Sequence, residues 1–385
     1  MHQAEQVRLL KELMAHLDAG TNVDAGGTRR NPVSVYTDPD MAAREWEEFY
    51  QGYPQVVGLS SDLPEPGTFL TTADFGVPVL ATRDGDGQFR AFVNVCRHRG
   101  VVVEDRAEGS ASKFSCPFHA WTYSNTGDLV SIPKEDHFGD VDKSCHGLVP
   151  LPAAEAHGFL WVHADPEGSI DLDGLLGGLG DELDSWDFGR LSHAGSDSYD
   201  MALNWKLAMD TFGETYHFNT LHRNTLARDF YGNVQCYDTF GRNHRMILCL
   251  RAIDELRGAP EDDWHITDGA FPVYYLFPNV QLNVASMGLI MVRVYPDPTT
   301  PGRSVSRISF YVDADRIGEG GGEGAATFAS IIRDEDYAVA ERAQRGAFAA
   351  TQETVLFGRN EPALHHYHNT YRAALGMEPL ELITD

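Results

Sequence analysis

Positive charge is scarce in this chain: 30 Lys and Arg stand against 57 Asp and Glu, a formal net charge of −27 at pH 7. Such a surface repels phosphate backbones and anionic lipid, so neither nucleic acid nor a membrane is expected as a partner. The excess acid reads as a well-solvated exterior, with an acidic docking face for a redox partner as the functional alternative. Long apolar runs are also missing, and none approaches the ~20 residues that span a bilayer. The first residues, MHQAEQVRLLKELMAHLDAG, carry Glu5, Lys11 and Glu12 among their leucines and lack a signal-peptide core. Cysteine is sparse as well. The five (Cys96, Cys116, Cys145, Cys236, Cys249) cannot all pair within one chain and do not read as a secreted disulfide framework. A cytoplasmic protein is expected. The glycine-rich stretches GLLGGLG and GEGGGEG lack GxGxxG spacing and a preceding strand, so they read as loops and not as a nicotinamide or flavin site.

What remains is ample material for packed cores: 385 residues, 42% hydrophobic and 11% aromatic. The length favours two domains, or one large one with an insert. Leu9, Leu10, Leu13 and Leu17 make one stripe of an amphipathic N-terminal helix, assigned to residues 1–34. Residues 35–165 are rich in short alternating runs; VPVLATR, the turn residues DGDG and then QFRAFVNV form a hairpin signal, and the stretch reads as a small all-β domain. Residues 166–385 open on a Asp/Gly/Leu-rich connection. LNWKLAMDTFGETYHF then reads as a helix, NHRMILCLRAI, VYYLFP, GLIMVRVYP and SRISFYVDA as strands, and AATFASIIRDEDYAVAERAQRGAF as a long helix after the loop Gly318 to Gly324. A last helix is expected over Asn360 to Leu375.

Two constellations carry chemistry. NVCRHRG supplies Cys96-x-His98, and SCPFHAW supplies Cys116-x2-His119. Paired spacings of this kind bring two thiolates and two imidazoles to the tips of two loops. A [2Fe-2S] centre takes such a set as two Cys on one iron and two His on the other, which raises its potential. Structural zinc is the competing reading, but a zinc finger keeps its cysteines in one pair and its histidines in the other. The second constellation lies in MDTFGETYHFNTLHRNT, where His217 and His222 are five apart. They converge on one ion only with a local bend or at a helix end. Non-heme oxygenases complete such a pair with one carboxylate and leave positions open for O2 and substrate. RDEDYAVAERAQRG offers Asp334, Glu335 and Asp336, which periodicity does not separate. Asp210, Glu214 and His217 would share one face of a helix, at i, i+4 and i+7. Phe212, Phe218, Leu221, Phe230 and Met287 are candidates to line a pocket, with core packing as the plainer reading. His365, His366 and His368 read as structural.

NVCRHRG and CPFHAWTYSNTGDLVSIP resemble the Rieske motif of aromatic ring-hydroxylating and related oxygenases, and the resemblance runs from Val35 to Leu375. It implies an α+β chain: an all-β Rieske domain joined to a helix-grip-like catalytic domain with an antiparallel sheet. It implies Cys96 and Cys116 on one iron, His98 and His119 on the other, and a mononuclear Fe(II) held by His217 and His222. EDYAVAERAQRG resembles the family stretch whose Asp binds that iron, which selects Asp336. A carboxylate three residues before the first His bridges, in the family, to the Rieske His of a neighbouring subunit. It is commonly Asp; here it is Glu214, one methylene longer. Asp210 stands where many ring-dihydroxylating relatives have Asn. The resemblance further implies O2 as co-substrate, electrons from NAD(P)H through a separate reductase and a ferredoxin, and a homotrimer. The expected substrate is a small organic, aromatic in the first reading and a quaternary amine in the second. The non-enzymatic alternative is a Rieske electron carrier with a ligand-binding domain.

Overall fold

The leucine stripe folds as expected: α1 (Gln3–Ala19) buries Leu9, Leu10 and Leu13 against Cys236, Ile247 and Cys249. It stops at Gly20, whose φ of 62° suits the left-handed conformation of a helix C-terminus. The computed structural model describes residues 1–317 and 321–384, and their side chains except those of 321–325. Among the described residues no helix is long and apolar enough to cross a membrane.

The chain divides into two compact units: Glu47–Leu172, and Met1–Trp46 with Asp173–Asp385. Residues 35–46, grouped by their sequence texture with the β-domain, cluster with the larger unit. Strand pairing explains this, because Thr28–Pro32 is hydrogen-bonded to Thr354–Phe357. Just beyond it the buried Glu45 accepts from Trp205 Nε1 at 2.9 Å and from Lys206 Nζ at 2.6 Å. A buried charge pair of this kind is costly to break from one side.

The smaller unit is built from antiparallel sheets of five, three and three strands. The expected hairpin pairs Val79–Arg83 with Phe89–Val93, from Val79↔Val93 to Arg83↔Phe89.

In the larger unit seven strands form one antiparallel sheet: β1 (Leu191–Met201), β2 (Phe230–Phe240), β3 (Asn243–Leu250), β4 (Ala270–Leu276), β5 (Val280–Ala285), β6 (Gly288–Pro296) and β7 (Ser304–Asp313). Their order is β1-β7-β6-β5-β4-β3-β2. The helix expected across LNWKLAMDTFGETYHF is short. α2 (Trp205–Asp210) starts where the Asn204 side chain accepts the Lys206 N–H at 2.9 Å, and it ends before Gly213. A Cβ at Gly213 would lie 2.5 Å from Leu364 Cδ2, so only glycine lets the chain pass so close. Turns, not a helical face, therefore carry Glu214, His217 and His222.

The long helix is also interrupted. α3 (Gly321–Ile331) and α4 (Ala338–Ala349) flank a wider π-helical turn, Ile332–Tyr337. Of the expected loop Gly318 to Gly324, residues 318–320 lie outside the described residues, and from Gly321 the backbone is helical. α5 (Pro362–Ala374) closes the unit with Pro362 in its first turn.

Candidate metal centres

In the smaller unit, Cys96 and Cys116 each open the same kind of turn. Cys96 N–H donates to Val101 O at 2.8 Å and its carbonyl accepts from Gly100 N–H at 3.0 Å. Cys116 N–H donates to Trp121 O at 2.9 Å and its carbonyl accepts from Ala120 N–H at 2.9 Å. Gly100 and Ala120, four residues after each cysteine, both have positive φ, 75° and 56°. Both thiols are buried, and burial first, then the neighbouring Cys96 thiol, pushes Cys116 up. The Tyr123 hydroxyl lies 3.3 Å from Cys96 Sγ. The imidazoles form the other half of the set: His98 and His119 have centroids 4.7 Å apart, and His98 stacks on Trp121 at 5.0 Å. His98 Nδ1 and His119 Nδ1 are both buried without a hydrogen-bond partner. Such orphaned atoms are rare unless something absent from the protein atoms satisfies them. Thiol beside thiol and imidazole beside imidazole suits a two-iron cluster. A single tetrahedral ion needs its ligand atoms mutually close, and among the described residues this quartet does not gather three within 4.8 Å.

In the larger unit the only such gathering among the described residues is His217, His222 and Asp336. His217 Nε2 and His222 Nε2 lie 3.1 Å apart, and Asp336 Oδ1 is 3.4 Å from the first and 3.2 Å from the second. Ligands about 2.1 Å from a common ion and at right angles would be about 3 Å apart, so the trio fits one face of a metal. Burial opposes the charged form of His217, yet Asp336 and Glu214 outweigh it and bring its pKa up to about 9. His222 is raised for the same reason, burial being overcome by Asp336 with Glu335. Burial would raise Asp336, but the two imidazoles hold it below the ordinary carboxylate range. A divalent cation replaces the protons in such a set.

The π-helical turn separates the three acidic neighbours. Asp334 is exposed and pairs with Arg333 at 2.6 Å. Asp336 is buried and aims at both imidazoles. Glu335, one of the three candidates for the third ligand, instead accepts from His222 Nδ1 at 2.6 Å and from Thr225 Oγ1 at 2.8 Å. Glu214 does the same behind His217: Oε1 is 2.5 Å from Nδ1, and Oε2 accepts the His217 N–H at 3.1 Å. A carboxylate on Nδ1 fixes the tautomer and turns the Nε2 lone pair towards the ion. Glu335→Gln is expected to weaken Fe(II) affinity by about 10–100-fold, as loss of an outer carboxylate typically does. Asp334→Asn should leave it unchanged; Fe(II) titration of both variants checks the pair.

Asp210 is not brought to the trio. Its oxygens accept from Tyr36 at 2.7 Å, Tyr367 at 2.5 Å and His368 Nε2 at 2.8 Å. Burial and then the carboxylate itself push both phenols well above their ordinary range, so they act as donors. Asp210 thus ties α2 to the N-terminal segment and to α5. Asp210→Ala leaves three buried donors without an acceptor and should lower stability by about 3 kcal/mol or more, at about 1–3 kcal/mol each. Chemical denaturation tests this.

Beside the trio lies a narrow cavity of about 40 Å³. Phe212, Phe218, Phe230, Phe271 and Phe328 line it, with Gln281 and Asn283 among the polar residues. Phe218–Phe230 and Phe230–Phe271 meet edge to face at 5.5 and 5.7 Å. Of the five apolar candidates read from sequence, Phe212, Phe218 and Phe230 line it. Leu221 does not, and Met287 is exposed. Phe271, Gln281 and Asn283 belong to no motif read from the sequence and enter the lining as residues of β4 and β5.

One chain thus carries an all-β unit with a Cys2His2 set suited to a two-iron cluster and an α+β unit with a 2-His-1-carboxylate trio suited to a single metal ion. Residues 53–150 match the family model of the Rieske [2Fe-2S] domain, and residues 188–377 that of the ring hydroxylating alpha subunit catalytic domain. The chain belongs to the Rieske non-heme iron oxygenase alpha subunits. It is 34% identical over 197 residues to the glycine betaine monooxygenase oxygenase subunit of Chromohalobacter salexigens, covering 51% of this chain and 44% of that protein. It is 32% identical over 207 residues to the anthranilate 1,2-dioxygenase large subunit of Acinetobacter baylyi, covering 52% and 44%. The matched stretch thus spans under half the length of these two relatives. The fold is similar to that of a quaternary ammonium Rieske monooxygenase, with a TM-score of 0.80 at 21% identity over 92% of this chain and 97% of the other. The family implies a [2Fe-2S] cluster and a mononuclear iron, and both donor sets fit them.

Proposed function

We propose that this protein is the terminal oxygenase of a multicomponent system that hydroxylates or oxidatively demethylates a small aromatic substrate. The observation that carries this reading is the trio of buried His222 and Asp336 with half-buried His217, opening on a phenylalanine-lined cavity. In it Cys96 and Cys116 hold one iron of the cluster, and His98 and His119 the other. When bound, these groups supply single electrons and the activation of O2. The protein's part is to orient both imidazoles through Glu214 and Glu335, exclude water, and hold a C–H of the substrate beside the trio. Two electrons and two protons per O2 balance either outcome: one oxygen in the product and one in water, or both in a cis-diol. A separate reductase with a ferredoxin, drawing on NAD(P)H, supplies the electrons, in a reducing cytoplasmic setting. At about 40 Å³ the cavity has room for a few water molecules and not for a ring. A ring must displace lining side chains as it enters.

A second reading, monooxygenation of a quaternary amine, is favoured by what the names of two of these similar proteins say they act on. Metal analysis with a visible spectrum and an 18O2 product assay tests both. Three Fe per chain and 18O in an aromatic product support the first reading. Formaldehyde released from glycine betaine, with no aromatic product, supports the second. Two Fe and no product point to an electron carrier.

The proposed assembly is a homotrimer in which Glu214 joins His217 to His119 of a neighbouring copy. With Fe(II) supplied at saturation, Glu214→Gln should hold both metals and lose about 10–100-fold in turnover, as loss of a carboxylate behind a ligating imidazole typically does. The loss should fall on oxidation of the pre-reduced cluster, and Glu214→Asp should retain measurable activity. Native cluster oxidation in a single-turnover experiment on Glu214→Gln would reject the bridge.

A further inference from the structure

Strand β5 reads VQLNVA, and its inward face is unusual for a sheet interior. Residues two apart share a face, and here that face carries two amides, Gln281 and Asn283, only 3% and 2% exposed. Both line the cavity beside His217, His222 and Asp336. Across the sheet Asn283 stands opposite Val273 on one side and Ile290 on the other, and Gln281 opposite Val292 and Tyr275, whose hydroxyl is taken up by Pro278 O and Tyr371. Among the described residues the Gln281 amide has no hydrogen-bond partner. Asn283 Nδ2 reaches Ile290 O only at 3.4 Å, and its Oδ1 has no partner among them. A leucine or valine at either position would line the cavity without bringing a polar group to it. Two such amides side by side are built to meet something in the cavity.

We propose that Gln281 and Asn283 are the specificity-determining anchor of the substrate pocket, selecting an uncharged aromatic that carries one hydrogen-bonding substituent such as a carboxamide, carbonyl or hydroxyl. This deepens the aromatic reading above and rests on it. The charge pattern of the lining sets the class. Among the described residues the lining has no Lys or Arg, and its acids there are Glu214 and Asp336, both engaged with the histidines. An anionic substituent would find no cationic partner from the protein. A neutral amide offers both a donor and an acceptor, and the phenylalanines take the ring. Holding the substituent at β5 also fixes which ring edge faces the trio, so the same residues govern the position of oxygenation.

The test is calorimetric titration of the cluster- and iron-loaded protein with benzamide, toluene and phenyltrimethylammonium, followed by product analysis. The native protein should bind benzamide at least about tenfold more tightly than toluene, the scale of one well-made hydrogen bond. Gln281→Met keeps the length of the side chain and removes the amide. It should shrink the benzamide-to-toluene ratio to about twofold or less, and spread the product over more ring positions. Gln281→Glu serves if the Met variant does not fold, and should shift preference from benzamide towards phenyltrimethylammonium. If the ratio and product pattern are unchanged in these variants while benzamide still binds, the amides serve only a resident water, and the inference fails with the aromatic reading intact. If phenyltrimethylammonium binds and neither neutral compound does, the aromatic reading itself fails.

Discussion

An Asp336→Ala protein should retain a reducible cluster with its visible spectrum and lose the mononuclear iron, and with it all oxygenation. Two imidazoles remain in the variant, but neither is anionic, and a facial triad draws its charge neutralisation from the carboxylate. The loss should exceed the about 10–100-fold that removal of an outer partner such as Glu335 costs. His217 and His222 would then be held only from behind, by Glu214 and Glu335. The cluster should survive because its four candidate ligands all lie in Glu47–Leu172, whereas Asp336 lies in the other unit. Metal analysis with a visible spectrum reads both sites in one sample. Full iron in Asp336→Ala, with its loss in Asp334→Ala, would transfer the role to Asp334.

That this question needed a structure has a physical cause. Asp334, Glu335 and Asp336 are consecutive, and 3.6-residue periodicity assigns each a different face without saying which face is inward. The chain answers with a π-helical turn, a geometry that no helical pattern in the sequence announces and that recurs at functional sites. Two of the three acids then serve the metal site, one at each level, and the third meets solvent. The loop motifs were legible for the opposite reason. Cys96-x-His98 and Cys116-x2-His119 need only local turns, and local turns are written in adjacent residues. α2 was overextended because its apolar pattern continues past Asp210, while Gly213, which decides the exit, is explained by Leu364 and Tyr367, distant in sequence. β1 escaped notice for a further reason. LSHAGSDSYDM is polar, and as an edge strand of the sheet it is only partly covered. β5 alternates apolar and polar residues, but the pattern assigns the amides to solvent, whereas the structure buries both faces and turns Gln281 and Asn283 to the cavity.

Cys96→Ala should abolish the visible cluster absorption altogether while Fe(II) still binds at His217, His222 and Asp336. Cys96 is 3% exposed and its thiol lies against Cys116 and the Tyr123 hydroxyl, so alanine leaves one iron with a single protein thiolate. Nothing nearby can replace it: the other cysteine of this unit, Cys145, is exposed on a separate turn, hydrogen-bonded to Asp142 at 3.3 Å. His119→Ala acts on the opposite iron and should give the same spectral loss. A [2Fe-2S] centre needs both halves of the set, Cys and His. The two variants together distinguish the cluster from zinc, since a zinc protein would show no visible absorption even before substitution. Turnover should vanish in both, because the mononuclear site would have no internal electron donor. A chemically reduced small-molecule donor should then restore some oxygenation in Cys96→Ala and none in Asp336→Ala. A normal cluster spectrum in either Cys96→Ala or His119→Ala would overturn the ligand assignment. Loss of the mononuclear iron along with the cluster would show instead that the two sites depend on each other for folding.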